Sequence, residues 1–282
     1  VTAESTEQIA GALAVSDGFS LANSNPAATS GFAGDKQQAA EVMTANAAEL
    51  AELQERLFAN GSRGAGPSLL LIVQGMDTAG KGGIMRHVVG QVDPQGVRIK
   101  AFKAPTQEEL AHPFLWRIYK ELPAPGQLAV FDRSHYEDVL IARVNELVEE
   151  EVWSGRYEQI NAFEKEVDAS GTRIVKVMLH ISSDEQRRRL ERRLDNPDKH
   201  WKYDPVDVTE RMHWDAYMTA YQAMLDRTNT AWAPWHVVPA DRKWYARLAV
   251  NQLLLERLRA MNLEWPKADF DVAAERVRLD AS

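Results

Sequence analysis

Residues 68–83 read Ser-Leu-Leu-Leu-Ile-Val-Gln-Gly-Met-Asp-Thr-Ala-Gly-Lys-Gly-Gly, an apolar run that enters a glycine-rich turn. Residues 69–73 predict a short buried strand, and residues 84–89 continue as a helix. Gly75, four further residues and then Gly80-Lys81 match the spacing of a phosphate-binding P-loop. Position 82 departs from that pattern: Gly82 stands where a Ser or Thr hydroxyl usually holds Mg²⁺. An acid, Asp77, lies inside the loop instead. Glycines let the backbone turn sharply so that several N–H groups share one concavity, and the helix that follows aims its positive end there. Lys81 adds a mobile point charge for phosphate oxygens. An ordinary turn between strand and helix is the plainer alternative, but the order strand, loop, helix favours phosphate binding.

A second acid lies further along. Residues 128–132, Leu-Ala-Val-Phe-Asp, form an apolar run that ends at Asp132. In P-loop proteins an acid at the end of a strand beside the loop helps to hold Mg²⁺. Asp77 and Asp132 together are therefore expected to replace the missing hydroxyl as oxygen ligands. Arg133 follows at once and Arg143 lies on the same segment; each is read as either a phosphate contact or a surface ion pair. Residues 185–202 hold five Arg and two Lys against two Glu and two Asp. Arg188 with Arg192, and Arg189 with Arg193, are spaced to share helix faces. Guanidiniums at this density repel one another and fit best over an anion, which their planar forks bind bidentately. Lys199, Trp201 and Lys202 extend the basic, aromatic character; Trp201 is read as a core residue, with stacking on a base as the alternative. His87, His112 and His180 have no metal-ligand spacing and are read as structural.

Composition bounds the rest. The chain has 282 residues, 45% hydrophobic and 26% charged, with no cysteine, which excludes disulfides and thiolate metal sites. No apolar run nears the roughly 20 residues of a membrane helix, and no signal peptide is visible, so a cytoplasmic location is expected. A net charge of −8 argues against a general nucleic-acid coat but leaves a polyanionic substrate open, because local clusters decide binding.

Strands are predicted at 69–73, 97–102, 127–132, 172–181 and 236–238. Helices are predicted at 38–59, from the capping-box spacing at Thr106 to about 122, at 141–148, near 162–167, from Ser183, at 208–226 and at 243–261. Alternation of this kind predicts an α/β fold with a parallel sheet flanked by helices. Residues 1–34, rich in Ala, Ser, Asn and Gly, are read as a loosely ordered arm. The remaining residues, 35–282, are read as one domain.

Beyond the loop, several motifs occur in order: Gly75-Met-Asp-Thr-Ala-Gly-Lys-Gly-Gly83, Phe102-Lys-Ala-Pro-Thr106, Phe131-Asp-Arg-Ser-His-Tyr136, the stretch 189–197, His200-Trp-Lys-Tyr203 and Ala233-Pro-Trp-His-Val-Val-Pro-Ala-Asp241. This set resembles the family-2 polyphosphate kinases over residues 31–258. The resemblance implies a five-stranded P-loop kinase fold related to thymidylate and adenylate kinases, with a helical lid over 183–215. It implies Mg²⁺-dependent transfer, with Mn²⁺ as a substitute, between inorganic polyphosphate and AMP, ADP, GMP or GDP, in a homo-oligomer. By position, Asp77 and Asp132 would hold the metal, and Lys81 and Arg133 would contact phosphates. Arg189 and Arg193 would close on the transferring group. Gly75, Thr78, Ala79, Gly80, Gly82, Gly83, Lys103 and Arg143 would complete the phosphate and nucleotide contacts. The segment 114–117, Phe-Leu-Trp-Arg, is most similar to the branch acting on both AMP and ADP, although Gly82 and Asp132 stand where that branch often has Asp and Asn. An ATP-dependent nucleotide or small-metabolite kinase is the competing enzyme class, and a phosphate-sensing module without turnover the non-enzymatic one.

Overall fold

The structure, a computed structural model, describes residues 7–282. Five strands, β1 (Ser68–Gln74), β2 (Val97–Ala101), β3 (Leu128–Asp132), β4 (Thr172–His180) and β5 (Trp235–Pro239), form one parallel sheet in the order β2-β3-β1-β4-β5. Around it run α1 (Glu7–Leu13), α2 (Lys36–Gly61), α3 (Lys81–His87), α4 (Gln107–Leu110), α5 (Trp116–Tyr119), α6 (Ile141–Val144), α7 (Glu150–Ala169), α8 (Ser183–Leu194), α9 (Pro205–Met212), α10 (Trp214–Thr228), α11 (Lys243–Ala260) and α12 (Val272–Asp280).

The central strands read as near-continuous apolar runs because helices cover both faces of the sheet. Every residue of β1 is buried, and Leu69, Leu70, Leu71, Ile72 and Val73 are fully so. The edge strand β2 is different: Arg98 and Lys100 pair with Glu121, the latter at 2.8 Å, so the free edge carries charge. Such charges discourage another chain from adding to the edge.

Several boundaries differ from the sequence reading. The capping box of Thr106 and Glu109 forms, but its helix ends after one turn at Leu110 rather than near 122. Pro113 follows within three residues and cannot continue the backbone ladder. The helix expected at 208–226 is two, because the chain turns at His213 between α9 and α10. The helix read near 162–167 is the end of the 20-residue α7. The N-cap of α8 is Ser182, one residue before the expected Ser183.

Within residues 7–34 the structure corrects the expectation of a loose arm; residues 1–6 lie outside the described residues. Ile9, Leu13, Leu21 and Phe32 are buried in the main core, and Val15 N–H donates to the Trp235 carbonyl at 2.9 Å. A few large apolar side chains among many small residues are enough to seat this segment along β5 and α11.

Candidate active site

The sheet order places β1 between β3 and β4, so the loop at its carboxyl end opens at the centre of the sheet. Gly75 and Gly80 have φ of 149° and 122°, and Thr78 takes the left-handed value of 64°. At Gly75 a Cβ would stand 2.8 Å from the Leu179 carbonyl oxygen, so the close approach to β4 requires glycine.

Five successive carbonyls of this loop are held by three side chains. Lys81 Nζ donates to the Gly75 oxygen at 2.7 Å and the Met76 oxygen at 3.3 Å. Gln186 Nε2 donates to the Asp77 oxygen at 3.0 Å. Arg189 Nη1 donates to the Thr78 and Ala79 oxygens at 2.9 and 2.8 Å. With the carbonyls drawn back, the N–H side of the turn faces a cavity of about 720 Å³ lined by Thr78, Ala79, Gly80, Gly82 and Gly83. Nine Lys and Arg residues line this cavity against four Asp, so its field suits a polyanion.

Asp77 and Asp132 are among those four acids. The register pairs Val73 with Asp132, which sets this carboxylate beside the loop as the strand-end position predicts. Burial pushes the Asp77 carboxyl up, but Lys81, Arg133 and Arg193 outweigh it, so its pKa lies below the ordinary aspartate value. Asp77 Oδ1 accepts from Arg133, while the Asp132 carboxylate makes no hydrogen bond or ion pair among the described residues. Open carboxylate oxygens beside a phosphate cradle match what Mg²⁺ takes: one or two carboxylates, with phosphates and water completing the shell. No group of three or more His, Asp or Glu side chains able to hold an ion unaided occurs among the described residues.

The basic helix α8 sorts its arginines by burial. Arg189 is 4% exposed and donates to Ala240 and Asp241 carbonyls at 2.5 and 3.0 Å, besides its two loop carbonyls. The resemblance implies a group closing on the transferring phosphoryl; here its guanidinium is spent on holding the loop. Glu185 gathers Arg188, Arg189 and Arg192 at 2.8–3.0 Å. Burial pushes the Glu185 carboxyl up, yet these guanidiniums bring its pKa down to about 2. This acid offsets part of the repulsion that the sequence reading assigned to a bound anion. Arg193 faces the cavity and donates to the Lys202 carbonyl at 2.8 Å and to Asp207 at 3.0 Å.

A smaller cavity of about 160 Å³ opens on the other side of Asp77. Arg133, Glu137, Leu140, Tyr217 and Tyr221 are among its walls. Arg133 has a φ of 62° and its N–H donates to the Val73 carbonyl at 3.1 Å, which turns its side chain back toward Asp77. A fully buried cluster braces the same turn: Lys176 Nζ donates to Glu164 at 2.6 Å and to the Tyr136 hydroxyl at 2.9 Å, and His135 meets Glu164 at 3.2 Å.

Two expected contacts are not brought to the loop. Arg143 lines neither cavity; its guanidinium lies 4.5 Å from the centre of the Trp153 ring, a cation–π contact that the sequence did not signal. Lys103 is exposed and lines neither cavity; its carbonyl accepts from Arg117 at 2.9 Å. Conversely, Arg86, His87, Lys243 and Arg247 line the larger cavity. His87, read as structural, follows Arg86 at the end of α3, and only the turn of that helix brings both to the rim. Lys243 and Arg247 are spaced i, i+4 at the start of α11, a signal visible in sequence but without a link to the loop. Trp201 is 78% exposed, not a core residue.

A five-stranded parallel sheet with a phosphate-binding loop at its centre and an arginine-bearing helical segment over it is the architecture of a P-loop kinase. A family model described as polyphosphate kinase 2 (PPK2) matches residues 33–266, and the chain belongs to that family. It is 42% identical over 262 residues to an AMP/ADP-polyphosphate phosphotransferase of Meiothermus ruber, covering 93% of this chain and 96% of that one. It is 40% identical to an ADP-polyphosphate phosphotransferase of Rhodopseudomonas palustris, covering 84% of each. The crystal structure of polyphosphate kinase 2 from Arthrobacter aurescens superposes with a TM-score of 0.97 at 55% identity over the full length of both chains.

Proposed function

We propose that this kinase moves phosphoryl groups between inorganic polyphosphate and nucleoside mono- or diphosphates, with Mg²⁺ and with Mn²⁺ as a substitute. The observation that carries the reading is the excess of cations lining the larger cavity around an N–H-lined loop, with two carboxylates facing the same space. A chain of phosphates needs many cations along its length, whereas the tail of one nucleotide needs few. The names of the relatives from M. ruber and R. palustris support the same pair of substrates.

The chemistry follows from charge. Donor and acceptor are both anions, and an acceptor phosphate with a second pKa of about 6 is largely ionised, so little base catalysis is required. The barrier lies in repulsion and in alignment for in-line transfer. The loop N–H groups and the cavity-facing cations receive the donor. Arg133 and the smaller cavity would take the acceptor, whose base and sugar tolerate the carboxylates and tyrosines there better than a polyphosphate would. Asp77 and Asp132 would hold the metal, which supplies Lewis-acid neutralisation of the phosphoryl oxygens. Residues 183–215 would act as a lid that excludes water and limits hydrolysis. In a homo-oligomer the chain would keep this site within one protomer, since loop, acids and lid all come from it.

The test is a panel of AMP, ADP, GMP and GDP against polyphosphate or ATP as donor, with Mg²⁺, Mn²⁺ or chelator. Transfer from polyphosphate that chelator abolishes is the expected outcome. Transfer from ATP alone would make the protein an ordinary nucleotide kinase.

A further inference from the structure

Gln186 is fully buried, and both ends of its amide are engaged. Its Nε2 donates to the main-chain oxygen of Asp77 at 3.0 Å, and its Oε1 accepts from Arg211 Nη1 at 2.9 Å. The same Arg211 nitrogen donates to the Ser183 carbonyl at 2.7 Å. Arg211 belongs to α9 and Asp77 to the phosphate loop, so one amide links the two. Its direction is determined: reversing it would set N–H against guanidinium and oxygen against carbonyl.

Other lid contacts lack this reach. Arg189 holds the loop but touches only α8 and the turn after β5 among its partners. Arg193 and Asp207 join α8 to α9 without bonding the loop. Displacing α9 removes Arg211, the donor to Gln186, and leaves the buried amide oxygen unpaired, which costs free energy. That cost is avoided only when α9 is docked and Asp77 is held.

We propose that Gln186 is a positioning residue that couples the docking of α9, through Arg211, to the placement of Asp77 in the loop. The inference rests on the phosphoryl-transfer reading for its kinetic test, but not for its structural one. Removing either end should lower kcat and leave the nucleotide KM nearly unchanged, because the link acts on the alignment of reacting groups rather than on substrate affinity.

The experiment compares Gln186→Leu, Arg211→Leu and the double variant with wild type, with Arg187→Gln as the exposed control on α8. Each single change should reduce kcat about tenfold, and the double change should cost no more than the larger single one. Arg211→Lys, which keeps a donor, should recover most of the loss. Amide hydrogen exchange at residues 77–80 should quicken in both Leu variants. Independent, multiplicative losses, or wild-type kcat in Gln186→Leu, would overturn the coupling. If Gln186→Leu does not fold, the Arg211→Leu and Arg211→Lys pair decides: unaltered loop exchange and kcat in Arg211→Leu sink the proposal. If the wild type transfers nothing from polyphosphate, the functional reading fails, while loop exchange still decides this one.

Discussion

Arg193 on α8 donates to Asp207 on α9 at 3.0 Å, and both line the cavity faced by Asp77. Burial raises the Asp207 carboxyl to a pKa of about 6, with the Asp77 charge adding to the shift and Arg193 opposing it. An ordinary unfolded aspartate titrates near 3.9. The folded state therefore holds this proton more tightly. The resulting stability is fully present below about pH 4 and is lost as pH rises through about 6. Wild type should thus lose stability relative to Asp207→Asn between those limits, measured by urea denaturation at a series of pH values. Parallel profiles in the two proteins would count against the shifted carboxyl.

Asp77→Asn and Asp132→Asn should each lower kcat by about 100-fold or more, since a misplaced Lewis acid forfeits several kcal/mol of transition-state stabilisation. Folding stability should change by less than about 1 kcal/mol for Asp132, whose carboxylate has no protein partner to lose. Steady-state kinetics across a Mg²⁺ titration, with thermal melting alongside, reads both. Near-normal Mg²⁺-dependent turnover in both variants would defeat the metal assignment.

Arg189 and Arg193 should separate by phenotype. Arg189→Met removes the donors of four carbonyls and the buried partner of Glu185, so a loss of about 3 kcal/mol in stability is expected together with lost activity. Arg193→Lys should fold normally but turn over about tenfold more slowly, because an ammonium cannot reproduce a bidentate fork. Wild-type turnover in Arg193→Lys would place that residue outside the reaction.

Two loop glycines should respond in opposite ways. Gly75→Ala meets the Leu179 carbonyl at 2.8 Å at a φ of 149°, and should destabilise the protein by about 2 kcal/mol while displacing the loop. At Gly82 an added Cβ meets nothing within 4 Å. Gly82→Ala should therefore raise helix stability by up to about 1 kcal/mol. Calorimetry on the two variants provides the comparison.

Lys176→Met should cost about 3–5 kcal/mol by removing the buried ammonium that pairs with Glu164 in the core. The double change with Glu164→Gln should recover part of that loss. Additive costs in denaturation would mean that the pair contributes no specific coupling.

Much of the fold was legible because its signals are local. The apolar run of β1, the loop glycines and the capping residue of α4 are each decided within a few residues, and each appears where its spacing places it. Asp132 was equally readable, since a strand that ends in an acid presents it at the edge where the loop opens. Local patterning failed where a break depends on a distant partner. The turn at His213 lets α9 lean back on α8, and the docking of 7–34 depends on apolar residues too sparse to show a period.

The site divides along the same line. Sequence alone determined that a lysine, two acids and a dense run of guanidiniums accompany a phosphate loop, because residue type and spacing carry that chemistry. Only the tertiary structure decided which guanidinium stays open to the cavity and which is committed to the loop carbonyls. It also turned Arg143 onto Trp153 and brought Lys243 and Arg247 from the far end of the chain to the rim. The physical reason is that charge acts through space: a side chain's role depends on what packs against it, and those neighbours can lie a hundred or more residues away along the chain, as Gln186 and Asp77 do with a separation of 109.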